Sequence, residues 1–242
     1  MQNRADILGV QVDIVTMREA VERAETYMAK RTGALVATAN AEMIMRATRD
    51  NELKKILNEA AMVVPDGAGT VWAAHHLGYV MPERVAGYDL AQELMRLAPE
   101  KNRRVYFFGS APGVAVKAKA KAEKLYPGIN IVGVRDGYFS AADEAQIIAD
   151  IKDAAPDLLL VALGVPKQEK WLAKHLQELE VPLAIGVGGT LDVMAGVMKR
   201  APEWMQKAKL EWLFRAMLQP QRAGRLIALP KFAWKVCRSR KK

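Results

Sequence analysis

The chain has 242 residues, 51% of them hydrophobic and 26% charged, a globular composition that excludes a wholly disordered or collagen-like protein. A single cysteine, Cys237, excludes an internal disulfide scaffold. The net charge of +9 is concentrated at one end: from Lys199 to Lys242 thirteen Lys or Arg stand against two acids, Glu203 and Glu211, whereas residues 1–198 carry 23 bases and 25 acids.

In chain order, residues 1–10 hold Arg4 and Asp6 and no long apolar run, so no signal-peptide pattern is present. Residues 34–38 form a short apolar strand. Residues 41–60 follow with helical spacing, Met43, Ile44 and Ala47 and then Leu53, Ile56 and Leu57. A second strand over 61–64 ends at Pro65-Asp66-Gly67. The stretch 67–82 is the longest without Asp, Glu, Lys or Arg, but it is shorter than the roughly 18 residues that a spanning helix needs. An integral membrane protein and a secreted one are therefore not expected. Helices are predicted over 69–77 and 88–97. A regular series then runs strand 105–108, helix 114–125 stopped by Pro127-Gly128, strand 129–134, helix 142–154, strand 158–163, helix 167–179 and strand 183–187. Continuous apolar strands separated by helices imply an α/β fold, a mainly parallel sheet with helices on both faces. The charge boundary divides the chain into a body, 1–198, and a basic helical appendage, 199–242.

Ligands of such sheets bind at the carboxyl ends of the strands. The glycine loops 109–113 and 186–190 sit there and lead into helices, where backbone N–H groups suit phosphate oxygens. Equally, the glycines could serve only the turn. Gly186 and Gly188 begin a dinucleotide fingerprint, but Leu191 stands where its third glycine belongs. A Walker A sequence, an Asp-x-Asp pair, a Gly-x-Ser-x-Gly elbow and any metal-ligand spacing of the three histidines and one cysteine are all missing, so no metal and no cofactor is expected. His75 and His76 diverge on a helix and read as surface or packing residues. Asp66, beside Thr38 and Asn40 on the neighbouring loop, could take a proton from a hydroxyl nucleophile, or could cap the next helix. Asp192 could bond ribose hydroxyls or favour a helix first turn.

In the appendage, Leu210, Leu213, Phe214, Met217 and Leu218 make one apolar face, and Glu211 and Arg215 fall at i, i+4 on another. Trp204, Trp212 and Trp234 lie among Arg222, Arg225, Lys231, Lys235 and Arg238. Such a mixture suits an anionic bilayer surface. A helix packed on the body is the plainer alternative, and nucleic acid a third, for which no recognition module is present.

Several motifs occur together: Thr38-Ala-Asn40-Ala-Glu42, Val64-Pro-Asp66-Gly67, Pro82-Glu-Arg84-Val-Ala-Gly87, Leu163-Gly-Val-Pro-Lys167-Gln168-Glu169-Lys170-Trp171, Gly186-Val-Gly188-Gly189, Lys199-Arg200-Ala-Pro202 and Leu210-Glu-Trp212-Leu-Phe-Arg215. In this combination, from about Ile7 to Lys235, the chain closely resembles the WecG/TagA/CpsF glycosyltransferases, and most of all their N-acetylmannosamine-transferring branch of wall teichoic acid synthesis. The resemblance implies a Rossmann-like fold and an inverting, metal-independent transfer. N-acetylmannosamine would pass from a UDP-sugar donor to the 4-hydroxyl of N-acetylglucosamine on a polyprenyl-diphosphate-linked acceptor, undecaprenyl diphosphate. By the same resemblance Asp66 is the general base and Thr38 its essential neighbour. Asn40, Arg84 and Gln168 line the pocket, Gly109, Gly188 and Asp192 lie on the nucleotide side, and Arg215 and Arg222 reach the lipid diphosphate. It further implies a cytoplasmic enzyme held peripherally at the inner face of a bacterial membrane, self-association of the body, and an appendage that completes the site. Relatives that use UDP-N-acetylmannosaminuronic acid or UDP-glucose leave the donor open. An oxidoreductase and a non-catalytic membrane adaptor are the competing classes.

Overall fold

The computed structural model describes residues 3–208, 211–218 and 228–239. It opens with a hairpin absent from the expectations above, β1 (Arg4–Ile7) antiparallel to β2 (Val10–Asp13). Leu8 and Gly9 both take positive φ at its tip. Asp13, fully buried, anchors it. Its carboxylate meets Arg4 at 3.3 Å and Arg23 at 3.0 Å and accepts the Val63 N–H at 2.8 Å. A buried carboxylate persists only with such partners. Helix α1 (Met17–Lys30) follows, started by a reciprocal capping box between Thr16 and Glu19.

Six parallel strands form the central sheet: β3 (Ala34–Ala39), β4 (Met62–Pro65), β5 (Arg104–Gly109), β6 (Asn130–Arg135), β7 (Leu158–Ala162) and β8 (Leu183–Gly186). Their spatial order is β4-β3-β8-β7-β5-β6. Alternation of side chains divides the core in two. Leu35, Ala37, Phe108, Leu159 and Val161 enter one layer; Val36, Val64, Phe107, Leu160 and Ile185 enter the other. The first layer is covered by α2 (Ala41–Ala47), α3 (Asn51–Glu59), α4 (Ala68–His76), α7 (Glu144–Asp153) and α8 (Lys167–Leu179). The second is covered by α1, α5 (Gly87–Leu97), α6 (Val114–Leu125) and the short α9 (Thr190–Met194). The parallel α/β sandwich agrees with the sequence expectation. The single helix expected over 41–60 is in fact two. Asp50 interrupts it by accepting the Leu53 N–H at 3.0 Å, and so caps a new helix rather than continuing the old one. The helix expected from 142 begins as a 3₁₀ turn, Ala141–Asp143, under a Ser140–Asp143 capping box.

The appendage is represented by α10 (Glu203–Lys207), α11 (Glu211–Leu218) and α12 (Ala228–Ser239). Helix α12 lies on α2 and α4. Its Phe232 and Val236 are buried in the first core layer, Phe232 lies against Gly69, and Lys235 donates to the Thr48 hydroxyl at 3.1 Å. Its outer face presents Trp234, 61% exposed, with Lys231 and Arg238. Among the described residues no helix is long and apolar enough to cross a membrane.

Candidate active site

The chain leaves β3 towards β4 and leaves β5 towards β6, in opposite directions along the sheet. Between them the carboxyl ends of β3, β8 and β7 border the crevice where such sheets take ligands. Thr38, near the end of β3, is only 6% exposed, and its hydroxyl donates to the Gly186 carbonyl at the end of β8, 3.0 Å away. Gly87 presses on it: a Cβ there would stand 2.7 Å from the Thr38 methyl. Asn40 follows as the N-cap of α2, its side-chain oxygen accepting the Met43 N–H at 3.0 Å.

Asp66 comes directly after β4. Its N–H donates to the Ala39 carbonyl at 3.0 Å, holding it level with Thr38 and Asn40. The N-cap position of α4 falls to the next residue, not to Asp66. Gly67, at φ +94°, is that N-cap, and as a glycine it has no side chain to cap the helix with. The first turn of α4 is tied back instead by Thr70, whose hydroxyl donates to the Ala39 carbonyl at 3.0 Å. The 82–87 loop is drawn over the same end by the Val85 N–H, which donates to the Pro65 carbonyl at 3.0 Å.

Gln168 does not face an open pocket. It is 1% exposed, and its side-chain oxygen accepts the N–H groups of Gly164 and Gly188, both at 3.1 Å. One amide thus fastens the loop after β7 to the loop after β8. Its NH₂ donates to Glu169 at 2.7 Å, which fixes the amide's orientation. Glu169 is an unforeseen member of the site. It is 1% exposed, its second carboxylate oxygen has no hydrogen-bond partner, and burial pushes its pKa up to about 7 despite the Gln168 hydrogen bond and the charge of Arg46. Gly186 is required above this pair, because a Cβ would lie 2.6 Å from the Gln168 nitrogen and 3.0 Å from the Glu169 oxygen. A clue was legible: Gln168, Leu172, His175 and Leu179 make the buried stripe of α8, and Glu169 sits one residue beside it.

Gly109 and Gly188 differ. Gly109, at φ +126°, has the Ala162 backbone 2.5 Å from where a Cβ would be, so the close approach of β5 to β7 demands it. At Gly188, φ +52°, the Cβ position is open. Asp192, in the first turn of α9, accepts from the Ser110 hydroxyl at 3.3 Å and joins the loops after β5 and β8. Arg84 lies at the rim and reaches Glu211 of α11 at 2.9 Å and Asp89 at 4.0 Å. Arg215 belongs to α11, but its side chain, like the whole of Arg222, lies outside the described residues. His75 donates from Nε2 to the Met81 carbonyl, 2.8 Å away, and His76 stacks on Trp72, so both serve packing.

An acid beside two polar side chains on one strand pair, opposite a glycine loop, can accept a proton from a hydroxyl. Comparison with known proteins gives the family. The family model of the WecG/TagA/CpsF glycosyl transferases matches residues 5–242. Proteins of Staphylococcus aureus strains NCTC 8325 / PS 47 and COL, both named N-acetylglucosaminyldiphosphoundecaprenol N-acetyl-beta-D-mannosaminyltransferase, are each 34% identical over 241 residues. The alignment covers 99% of this chain and 94% of each relative.

Proposed function

We propose that this chain, which belongs to the WecG/TagA/CpsF family of glycosyl transferases, transfers N-acetylmannosamine from UDP-N-acetylmannosamine to N-acetylglucosamine on undecaprenyl diphosphate, an early step in building a wall teichoic acid linkage unit. The observation that carries the reading is the hydrogen bond from the Asp66 N–H to Ala39, which holds this acidic residue level with Thr38 and Asn40, across β3 from the Gly186–Gly188 loop. In the transfer, the acceptor's 4-hydroxyl oxygen attacks the anomeric carbon. Its proton passes to Asp66, and the bond to UDP breaks with the electron pair leaving on the diphosphate. Attack opposite the leaving group inverts the anomeric centre and gives a β-1,4 linkage. A carboxylate correctly placed for that proton contributes about 10²–10⁴-fold. Thr38 supports it from below through Gly186, and the open Cβ position at Gly188 with Asp192 faces the nucleotide. With no Asp-x-Asp pair in the sequence, leaving-group charge falls to backbone N–H groups, while Arg215 and Arg222 reach the acceptor's lipid diphosphate.

Attachment to an anionic bilayer is supported by the outer face of α12, where Trp234 stands among Lys231 and Arg238 while Phe232 and Val236 hold the helix to the body. The peripheral placement would bring the lipid-linked acceptor to the crevice.

The test is UDP release with a soluble lipid-diphosphate N-acetylglucosamine analogue. UDP-N-acetylmannosamine is offered beside UDP-N-acetylmannosaminuronic acid and UDP-glucose, for the wild type and Asp66→Asn. Turnover with the first donor alone, reduced at least about 100-fold in the variant with UDP binding kept, is expected. Near-normal turnover by Asp66→Asn would remove Asp66 from the chemistry, and release from another donor would reassign the sugar.

A further inference from the structure

Four charged side chains from distant parts of the chain form one alternating row at the rim of the crevice. Glu211 meets Arg84 at 2.9 Å, Arg84 meets Asp89 at 4.0 Å, and Asp89 meets Arg200 at 2.7 Å. Two belong to the body, at the loop before α5 and in its first turn. The other two flank α10 in the appendage. Arg200 also lies over the Tyr88 ring, 4.5 Å from its centre. The row is well sheltered: the Glu211 side chain is 12% exposed and that of Arg84 is 23%. Beside it Ala201 and Met205 are buried, so this part of the appendage is seated on the body through both charge and apolar contact.

The sign order gives the row its meaning. Each body charge faces an opposite charge on the appendage, and displacing α11 by one turn would separate Glu211 from Arg84 in a partly desolvated place. Leaving one such charge without its partner is much costlier than exchanging both for neutral groups, which is why such pairs define a register. The 82–87 loop that carries Arg84 is tied to β4 by Val85 and presses Gly87 on Thr38, so the row is mechanically continuous with the site. Arg215 follows Glu211 by one helical turn, about 6 Å along α11.

We propose that Arg84 is a positioning residue rather than a substrate contact: its ion pair with Glu211, continued through Asp89 to Arg200, seats α11 at the mouth of the crevice and sets where Arg215 meets the acceptor. This assignment rests on the transferase reading above and deepens it. Arg84 acts through the appendage. Its loss reaches the acceptor side of the reaction and leaves the donor side alone.

A double-mutant cycle decides it, with Arg84→Gln, Glu211→Gln and the pair together, each read in two ways. Without substrate, hydrogen exchange at the 211–218 amides should quicken by about tenfold in either single variant, a loss typical of a broken partly buried pair, and the double variant should be no worse than the singles. In turnover, the KM for the lipid-diphosphate analogue should rise about tenfold in the same pattern, with the UDP affinity unchanged. Additive losses in the double variant, an indifferent Glu211→Gln, or weakened UDP binding by Arg84→Gln would each overturn the assignment, the last by making Arg84 a donor contact. If the wild type turns over none of the donors, the transferase reading fails, while the exchange cycle still decides whether the row seats α11.

Discussion

Replacing Glu169 by glutamine should make the protein more stable relative to wild type as the pH rises. The carboxyl's ordinary value of 4.5 is pushed up to about 7 by burial. Below 4.5 the group is protonated in both the folded and unfolded chains and contributes no difference. Between 4.5 and about 7 the unfolded chain has released the proton that the folded chain still holds. The folded state binds more protons there, so stability falls with rising pH, and the full loss is present above about 7. At pH 8 that loss amounts to about 3 kcal/mol, against about 1 at pH 5. Glutamine cannot ionise. Its carbonyl can accept from Gln168 as the carboxylate does, and its NH₂, placed where the second oxygen has no partner, adds a cost of about 1–3 kcal/mol that does not vary with pH. The difference between variant and wild type should therefore move by about 2–3 kcal/mol in the variant's favour from pH 5 to pH 8. At about 2–4 °C per kcal/mol for a chain of this size, that is a relative Tm gain of about 5–10 °C. Thermal denaturation of both proteins at pH 5, 6, 7 and 8, at constant ionic strength, measures it, because titrations common to the two cancel. A difference that stays flat, or moves the other way, would refute a protonated Glu169.

Gly109→Ala should lose at least about 3 kcal/mol, since positive φ alone costs about 1–3 and the new methyl must also displace the Ala162 backbone; urea unfolding measures this, and a near-neutral variant would show that β5 and β7 can part. Phe232→Ala should remove about 3–5 kcal/mol from the docking of α12, quickening hydrogen exchange over 232–238 and leaving β3 protected. Equal quickening in β3 would mean that α12 is integral to the core rather than seated on it. Asp66→Asn should fold normally and bind UDP while losing turnover, as set out above.

The sheet was legible because its information is local. Runs such as Leu158–Ala162 are apolar throughout, and helices such as Val114–Leu125 carry their own periodicity and stop signals. Local competition misled where two helices adjoin: the apolar spacing of 41–60 runs through Asp50, and whether that side chain caps or faces solvent is a matter of a single hydrogen bond. The Thr16–Glu19 capping box was present in the sequence, yet it predicts only a helix start. The hairpin before it is held by Asp13 through Arg4, Arg23 and Val63, and nothing in residues 4–13 announces those partners.

The candidate site divides along the same line. Sequence alone determined which residues could bear chemistry: an acid after one strand, a threonine and an asparagine after another, glycine loops after two more, a basic end, and a set of motifs that places the chain in its family. Tertiary structure decided what each is placed to do. It gave the N-cap position of α4 to Gly67 and Gly109 to strand packing. It turned Gln168 into a tie between two loops, exposed Glu169 as a buried carboxyl, and joined Arg84 to Glu211, 127 positions away. The physical reason is range. Propensity, capping and hydrophobic periodicity act over a few residues and are written in neighbouring letters. A carboxyl's proton affinity and an arginine's partner depend on desolvation and on charges brought near only when the strands have been ordered β4-β3-β8-β7-β5-β6.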